Sequence, residues 1–67
     1  MIEILTPEEV GGLLRLSPNK VILLARQGEL PFLILDGKMR FDAQDVEDWV
    51  KARKIGSVPT PLKTVNP

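Results

Sequence analysis

Apolar residues recur at helical spacing near the start of the chain, where Val10, Leu13 and Leu14 fall on one stripe. The segment just before this stripe, Thr6-Pro7-Glu8-Glu9, combines an N-cap hydroxyl, a proline at the first helical position and a glutamate three residues after the cap. Such a combination is a capping box. It predicts a short helix over 7–14, although each of the two consecutive glycines inside it costs about 1 kcal/mol of helix stability.

A second apolar stripe follows after a very short turn. It consists of Val21, Leu24 and Ala25. Ser17-Pro18 repeats the order of capping hydroxyl and proline, and Gly28 suits the left-handed conformation in which many helices end. We therefore predict a second helix over 18–27.

Two short apolar-rich segments then flank Asp36-Gly37, the preferred residue pair for a two-residue type I′ turn. This pattern predicts a β-hairpin over 32–41. The expected register pairs Phe32 with Phe41, Leu33 with Arg40, Ile34 with Met39 and Leu35 with Lys38. One face of the hairpin is then apolar and the other is mixed, and we expect Phe32 and Phe41 to lie in the core.

A third stripe, formed by Val46, Trp49 and Val50, predicts a helix over 43–53 that begins at the N-cap Asp42. Trp49 is also expected in the core. Residues 55–67 contain half of the six prolines among small and polar residues, which predicts a flexible tail. The sequence thus indicates one folded domain over 1–54, followed by this tail.

Length and composition narrow the possible functions. With 67 residues, no Cys and no His, the chain lacks disulfides, Cys/His zinc sites, thiol nucleophiles and imidazole bases. The remaining residues offer no nucleophile–base pair and no metal-ligand set, so we expect neither an enzyme nor a cofactor nor a small-molecule substrate. The longest apolar run is Val21 to Ala25, and no signal peptide precedes it, so a cytoplasmic protein without a membrane partner is expected.

Charge is balanced in total but segregated along the chain, with nine basic and nine acidic residues. Residues 1–14 contain three acidic and no basic side chains, 15–40 five basic and two acidic, 41–50 four acidic, and 51–67 four basic. The positive middle block is a candidate footprint for an anion. The alternative is that a small domain segregates its charges by chance.

The order of elements is helix, tight turn, helix, β-hairpin, helix. Two short helices joined by a tight turn form the helix-turn-helix unit, whose second helix enters the major groove of DNA. A hairpin directly after this unit is a wing. The predicted fold is therefore mainly α with a small β-hairpin, a winged helix-turn-helix.

Several segments resemble excisionase-type winged-helix domains, which are related to the DNA-binding heads of MerR-type regulators and to some phage terminase small subunits. The resemblance covers residues 4–52 and rests on Leu5-Thr6-Pro7-Glu8-Glu9-Val10, Leu13-Leu14, Leu16-Ser17-Pro18 with Val21, Gly28-Glu29-Leu30-Pro31, Gly37, Arg40-Phe41-Asp42 and Asp45-Val46-Glu47-Asp48-Trp49-Val50. It implies a bacterial or phage DNA-binding module that serves transcription regulation or DNA recombination. Such modules bend or coat DNA and recruit a recombinase or further copies of themselves, without catalysis.

The departures from this family pattern lie in the DNA-contacting positions. Many relatives have an aromatic and a basic residue where this chain has Ile22 and Leu23, and basic residues where it has Ile34 and Asp36. No heptad pattern follows the third helix, so the coiled-coil dimer of MerR-type regulators is not expected.

Helical-wheel geometry places Asn19 and Arg26 opposite the buried stripe of the second helix. Asn pairs with adenine and Arg with guanine, while Leu23 or Ile22 would contact thymine methyl groups. Lys20, in the first turn, and Lys38 and Arg40, in the wing, are expected on phosphate or in the minor groove of double-stranded DNA, localising the protein to the nucleoid. The candidate DNA-binding residues are Arg15, Ser17, Asn19, Lys20, Leu23, Arg26, Gln27, Lys38 and Arg40.

A second interpretation uses the same scaffold as a protein-interaction module. Ile22 and Leu23, together with Leu33 and Leu35, would form an exposed apolar patch that binds a partner protein. The polar side chains of the second helix would then be merely solvated, and Lys38 and Arg40 would keep a strand edge in water.

Overall fold

Six elements follow one another in the computed structural model, which describes residues 1–56. They are β1 (Ile4–Leu5), α1 (Pro7–Leu14), α2 (Pro18–Arg26), β2 (Leu33–Leu35), β3 (Lys38–Asp42) and α3 (Ala43–Ala52). The predicted order of helices and hairpin is confirmed, with helix ends that differ from the prediction by at most one residue. Of the predicted tail over 55–67, residues 57–67 lie outside the described part of the chain. The short strand β1 was not predicted.

Local side-chain bonds start each helix as the sequence predicts. The Thr6 hydroxyl accepts from the Glu9 amide at 3.1 Å, and the Glu9 carboxylate accepts from the Thr6 amide at 2.9 Å, which completes the capping box. The Ser17 hydroxyl accepts from the Lys20 amide at 3.2 Å. The Asp42 carboxylate accepts from the amide two residues later at 2.9 Å. These caps pair amides that would otherwise lack an acceptor.

Left-handed residues close the two turns that the sequence indicates. Gly28 follows α2 with φ +77°, as predicted for a helix end. Asp36 and Gly37 have φ values of +54° and +74°, which is the conformation of a type I′ turn. Arg15 also has a positive φ, +60°, although it is not glycine, and its amide donates to the Gly11 carbonyl to end α1.

The strands form an antiparallel sheet in the order β1-β3-β2. The predicted pairs of Leu33 with Arg40, Ile34 with Met39 and Leu35 with Lys38 are confirmed. The predicted pair of Phe32 with Phe41 is wrong. β2 begins only at Leu33, so Phe32 lies outside the ladder, and on the other edge of β3 Phe41 pairs with Leu5.

The core joins residues from all three helices, two strands and the segment before the wing. Its buried members are Leu5, Val10, Val21, Ala25, Leu30, Phe41 and Val46, with Trp49 partly buried against them. Leu30 was not predicted, and its amide donates to the Leu24 carbonyl at 3.3 Å, which draws the segment after α2 back onto that helix.

Two residues of the predicted apolar faces are exposed. Phe32 retains 41% of its accessible surface because it precedes β2 and lies outside the sheet ladder. Leu13 retains 65% because it lines an open groove between α1 and α3 rather than pointing into the packed centre. None of the helices within residues 1–56 is long and apolar enough to cross a bilayer.

Candidate nucleic-acid interface

The outward face of α2 lies opposite the buried Val21 and Ala25 and is the first part of the candidate interface. Its residues are Asn19, Lys20, Leu23, Arg26 and Gln27, all of which are exposed as the sequence predicts. Asn19, Leu23 and Arg26 are separated by four and three residues, so they form one row along the helix. Ile22 is only half-buried at the margin of this face.

The start of α2 offers hydrogen-bond donors to an anion. Pro18 has no amide hydrogen, and the Lys20 amide is already bonded to the Ser17 hydroxyl. The Asn19 amide has no acceptor among residues 1–56, so it points out of the helix end where the dipole is positive. The Ser17 hydroxyl accepts one bond but retains its own hydrogen for donation. Two donors, the Asn19 amide and the Ser17 hydroxyl, are therefore available to an anion at this end of the helix.

The turn between α1 and α2 holds Arg15 at the surface. The left-handed backbone of Arg15 and the bond from the Leu16 amide to the Gly11 carbonyl at 2.9 Å fix the turn tightly. The Arg15 side chain is exposed, two residues before the Ser17 cap of α2. The structure thus places Arg15 at the surface, in the turn that leads into α2.

The wing supplies the second group of candidate residues, on an element that packs mainly against β1, α1 and α3. Lys38 is exposed beside the Asp36-Gly37 turn. Arg40 lies on the same face but is half-buried, and its guanidinium donates to the Met39 carbonyl at 2.8 Å. Lys38 is therefore the wing cation fully presented to solvent, whereas part of the hydrogen-bonding capacity of Arg40 is used within the sheet.

The basic residues of the candidate interface differ from those at the end of α3 in their ion pairs. In the part of the chain that the structure describes, the cations of the candidate interface form no ion pair: Arg15, Lys20, Arg26, Lys38 and Arg40. At the end of α3, in contrast, Lys51 pairs with Glu47 at 3.4 Å and Arg53 with Glu29 at 3.0 Å. Within residues 1–56 no ion pair neutralises these cations, so their charge is available to an external anion.

The apolar face predicted for the hairpin is covered only at its Phe41 end. Phe32 is exposed, Ile34 retains 56% of its accessible surface, and Met39 is half-buried. Phe32 was predicted in the core, and the exposure of Ile34 was not predicted. The alternation of side chains placed Phe32 and Ile34 on the predicted apolar face with Phe41, so the sequence pattern gave no signal of their exposure.

Acidic side chains begin the two other helices. Glu8 and Glu9 occupy the first turn of α1, and Asp45 occupies the first turn of α3, where the positive end of each helix dipole favours carboxylates. Among residues 1–56 there is no group of three or more Asp or Glu side chains arranged to hold a metal ion.

A family model described as "Helix-turn-helix domain" matches residues 4–54, which include all six elements of the fold. Comparison with curated proteins and with solved structures gave no match.

Proposed function

The chain belongs to the helix-turn-helix domain family, and we propose that it is a small double-stranded DNA-binding protein of excisionase or transcriptional-regulator type. A domain of this family indicates a DNA-binding protein. The observation that supports our proposal most directly is that five exposed or half-buried cations, on α2, in the turn before it and in the wing, form no ion pair among residues 1–56. Such a surface is expected to neutralise phosphates and to release their counterions.

We assign α2 to the major groove. A single helix fits this groove, which is about 12 Å wide, and the residues in its outward row would then meet base edges. Asn19 has the donor and acceptor that adenine requires, and Arg26 has the fork of donors that guanine requires. Gln27, at the rim of the same face, offers an amide to either a base or a phosphate.

We assign the remaining cations to the DNA backbone. Lys20, Ser17 and the Asn19 amide would hold one phosphate at the start of α2, in the way that helix N-termini bind anions. Arg15 would contact a neighbouring phosphate from the turn. Lys38 would reach the backbone or the minor groove from the wing. Arg40, on the same face, would make a second contact of shorter reach, because its guanidinium also donates to the Met39 carbonyl.

The proposed activity is architectural and non-catalytic. A module of this size that positions itself on DNA through five cations would bend or coat the duplex, or recruit a recombinase or further copies of itself at the nucleoid. With so few phosphate contacts, nonspecific affinity is expected near 10⁻⁴ M, at about the weak end for such proteins at physiological salt.

The direct test is fluorescence anisotropy of the full chain on a duplex of about 25 base pairs, between about 50 and 200 mM salt. We expect the logarithm of the binding constant to fall with the logarithm of the salt concentration, with a slope of about −3 to −4.5 for three to five phosphate contacts. Absence of binding even at the lowest salt concentration would contradict the proposal.

A pair of double variants tests the location of the site. Lys20→Ala with Lys38→Ala should weaken binding and reduce the magnitude of the salt slope by about 2, because both are assigned to phosphates and each neutralised phosphate contributes about 0.9. Lys51→Ala with Lys54→Ala removes the same number of charges from the end of α3 and should leave the slope nearly unchanged. Equal effects of the two double variants would show that net charge matters and that the assigned surface does not.

A second candidate function is favoured by the exposed apolar side chains of the wing. Phe32, Ile34 and Leu35 retain between 41% and 56% of their accessible surface, on a strand at the edge of the sheet. Exposed apolar surface of this kind marks protein-interaction sites. On this alternative a recombinase or a further copy of the chain binds the wing and Leu23, and the salt titration above would show no duplex binding.

A further inference from the structure

One apolar side chain stands at the centre of the otherwise polar outward face of α2. Leu23 retains 44% of its accessible surface, whereas Val21 and Ala25 on the opposite side are buried and Leu24 is half-buried. On the helical wheel Leu23 lies between Asn19, one turn before it, and Arg26, one turn after it. It therefore occupies the row of residues assigned above to base edges.

Only one group on the major-groove edge of the standard base pairs is apolar. Guanine, cytosine and adenine present hydrogen-bond donors and acceptors there, whereas thymine adds the C5-methyl group. A leucine side chain forms no hydrogen bonds, so placing it against a polar base edge would cost desolvation without compensation. Against a thymine methyl group, both apolar surfaces leave water together.

The geometry points to Leu23 as a specificity-determining residue that contacts a thymine methyl group, so that this protein selects duplex sites with thymine at one or two defined positions. This inference rests on the proposed function, since it requires α2 to lie in the major groove. It goes beyond that function because it names the base and the chemical group that are selected.

The spacing along α2 places the thymine within the site. With a rise of 1.5 Å per residue, Leu23 lies about 6 Å from Asn19 and about 4.5 Å from Arg26 along the helix axis. Base pairs are separated by about 3.4 Å, so the three side chains cover a segment of roughly four base pairs. Thymine is expected in the interior of this segment, with adenine towards Asn19 and guanine towards Arg26.

The test first selects preferred duplexes and then removes only the methyl group. The full chain is used to enrich duplexes from a pool with a randomised centre, synthesised with thymine. Each thymine of an enriched duplex is then replaced, one at a time, by deoxyuridine, which pairs in the same way but lacks the C5-methyl group. We expect one or two positions at which this replacement weakens binding about fourfold, the value for losing one buried methyl group. Elsewhere it should have little effect.

Three variants connect this loss to the side chain. In Leu23→Ala, thymine and deoxyuridine should bind almost equally at the sensitive positions. Leu23→Met retains apolar volume and should retain most of the discrimination. Leu13→Ala makes the same truncation at an exposed leucine in the groove between α1 and α3, away from the outward face of α2, and should discriminate like the wild type. The far-UV circular dichroism of all three should match that of the wild type.

The outcomes separate this inference from the proposed function. Salt-dependent duplex binding with no enriched sequence, or with equal affinity for thymine and deoxyuridine throughout, would overturn the role of Leu23 and leave DNA binding intact. Persistent discrimination in Leu23→Ala would assign the methyl contact to another residue and would also overturn it. No duplex binding at any salt concentration would overturn both proposals and would favour a protein partner on the apolar surface around Leu23.

Discussion

The carbonyl oxygen of Leu16 lies 2.6 Å from the position that a β-carbon on residue 11 would occupy. In the same contact the Leu16 amide donates to the Gly11 carbonyl at 2.9 Å. Gly11 is therefore required for space, since its φ is that of an ordinary helix residue and its missing side chain lets the chain fold back directly after α1. The tight turn that orients α2 depends on this approach.

Gly11→Ala is expected to destabilise the protein. Real β-carbons essentially never approach a backbone oxygen this closely, so the turn must shift, and the overpacking should outweigh the gain in helix propensity by about 1–2 kcal/mol. The free energy of unfolding from urea titration measures the effect.

Gly12→Ala is the matched control, one residue further along the same helix. A β-carbon there would have no neighbour within 4 Å, so the substitution should stabilise the protein by about 0.5–1 kcal/mol through helix propensity. If both substitutions stabilise the protein, the close approach of Leu16 to α1 is absent in solution.

The two phenylalanines should differ sharply in their contribution to stability. Phe41 is fully buried, and its truncation to alanine should cost about 3–5 kcal/mol, which is comparable to the total stability of a domain of this size. Phe41→Ala is therefore expected to be largely unfolded at 25 °C by circular dichroism. Phe32→Ala should cost about 1 kcal/mol or less, because its side chain stays partly in water. Equal losses would mean that Phe32 is packed in solution.

Arg53 should stabilise the attachment of α3 to the segment after α2. Its guanidinium lies 3.9 Å from the centroid of the Trp49 ring and 3.0 Å from the Glu29 carboxylate. Arg53→Ala removes both contacts and should cost about 1 kcal/mol in urea unfolding. Glu29→Gln leaves the contact with the ring and removes an exposed ion pair, so it should cost about 0.5 kcal/mol or less. A larger cost for Glu29→Gln than for Arg53→Ala would contradict this division.

Lys20 and Arg26 should affect DNA binding in different ways. Lys20→Ala should weaken binding to all duplexes alike and reduce the magnitude of the salt slope by about 1, because it removes a phosphate contact. Arg26→Ala should act chiefly on an enriched duplex, by about 1–3 kcal/mol, and should relax the preference at one base pair. Anisotropy titrations on an enriched and a scrambled duplex distinguish the two. Identical profiles for both variants would place Arg26 on the backbone.

The candidate site was predictable to the extent that it depends on one helix. A buried stripe on α2 fixes which residues point away from it, so the exposure of Asn19, Leu23 and Arg26 follows from the same periodicity that predicts the helix. The wing was less predictable. Register places Lys38 and Arg40 on one face, but only the packed sheet shows that the Arg40 guanidinium turns onto the Met39 carbonyl.

The sequence by itself determined those features whose causes lie within a few residues. The capping bonds of Thr6, Ser17 and Asp42, the left-handed Gly28 and the type I′ turn at Asp36-Gly37 all depend on contacts or backbone preferences of near neighbours. Their chemistry can therefore be read in order along the chain.

Only the tertiary structure decided which apolar residues are buried. The pairing of Leu5 with Phe41 and the bond from the Ala43 amide to the Glu3 carbonyl join distant segments through an unpredicted strand. Phe41 is buried in this packing, as predicted, whereas Phe32 stays outside the ladder and exposed. Helical spacing likewise placed Leu13 on the apolar stripe of α1, but burial requires another element to cover the side chain. Periodicity specifies a face of an element, whereas long-range packing specifies whether anything lies against that face.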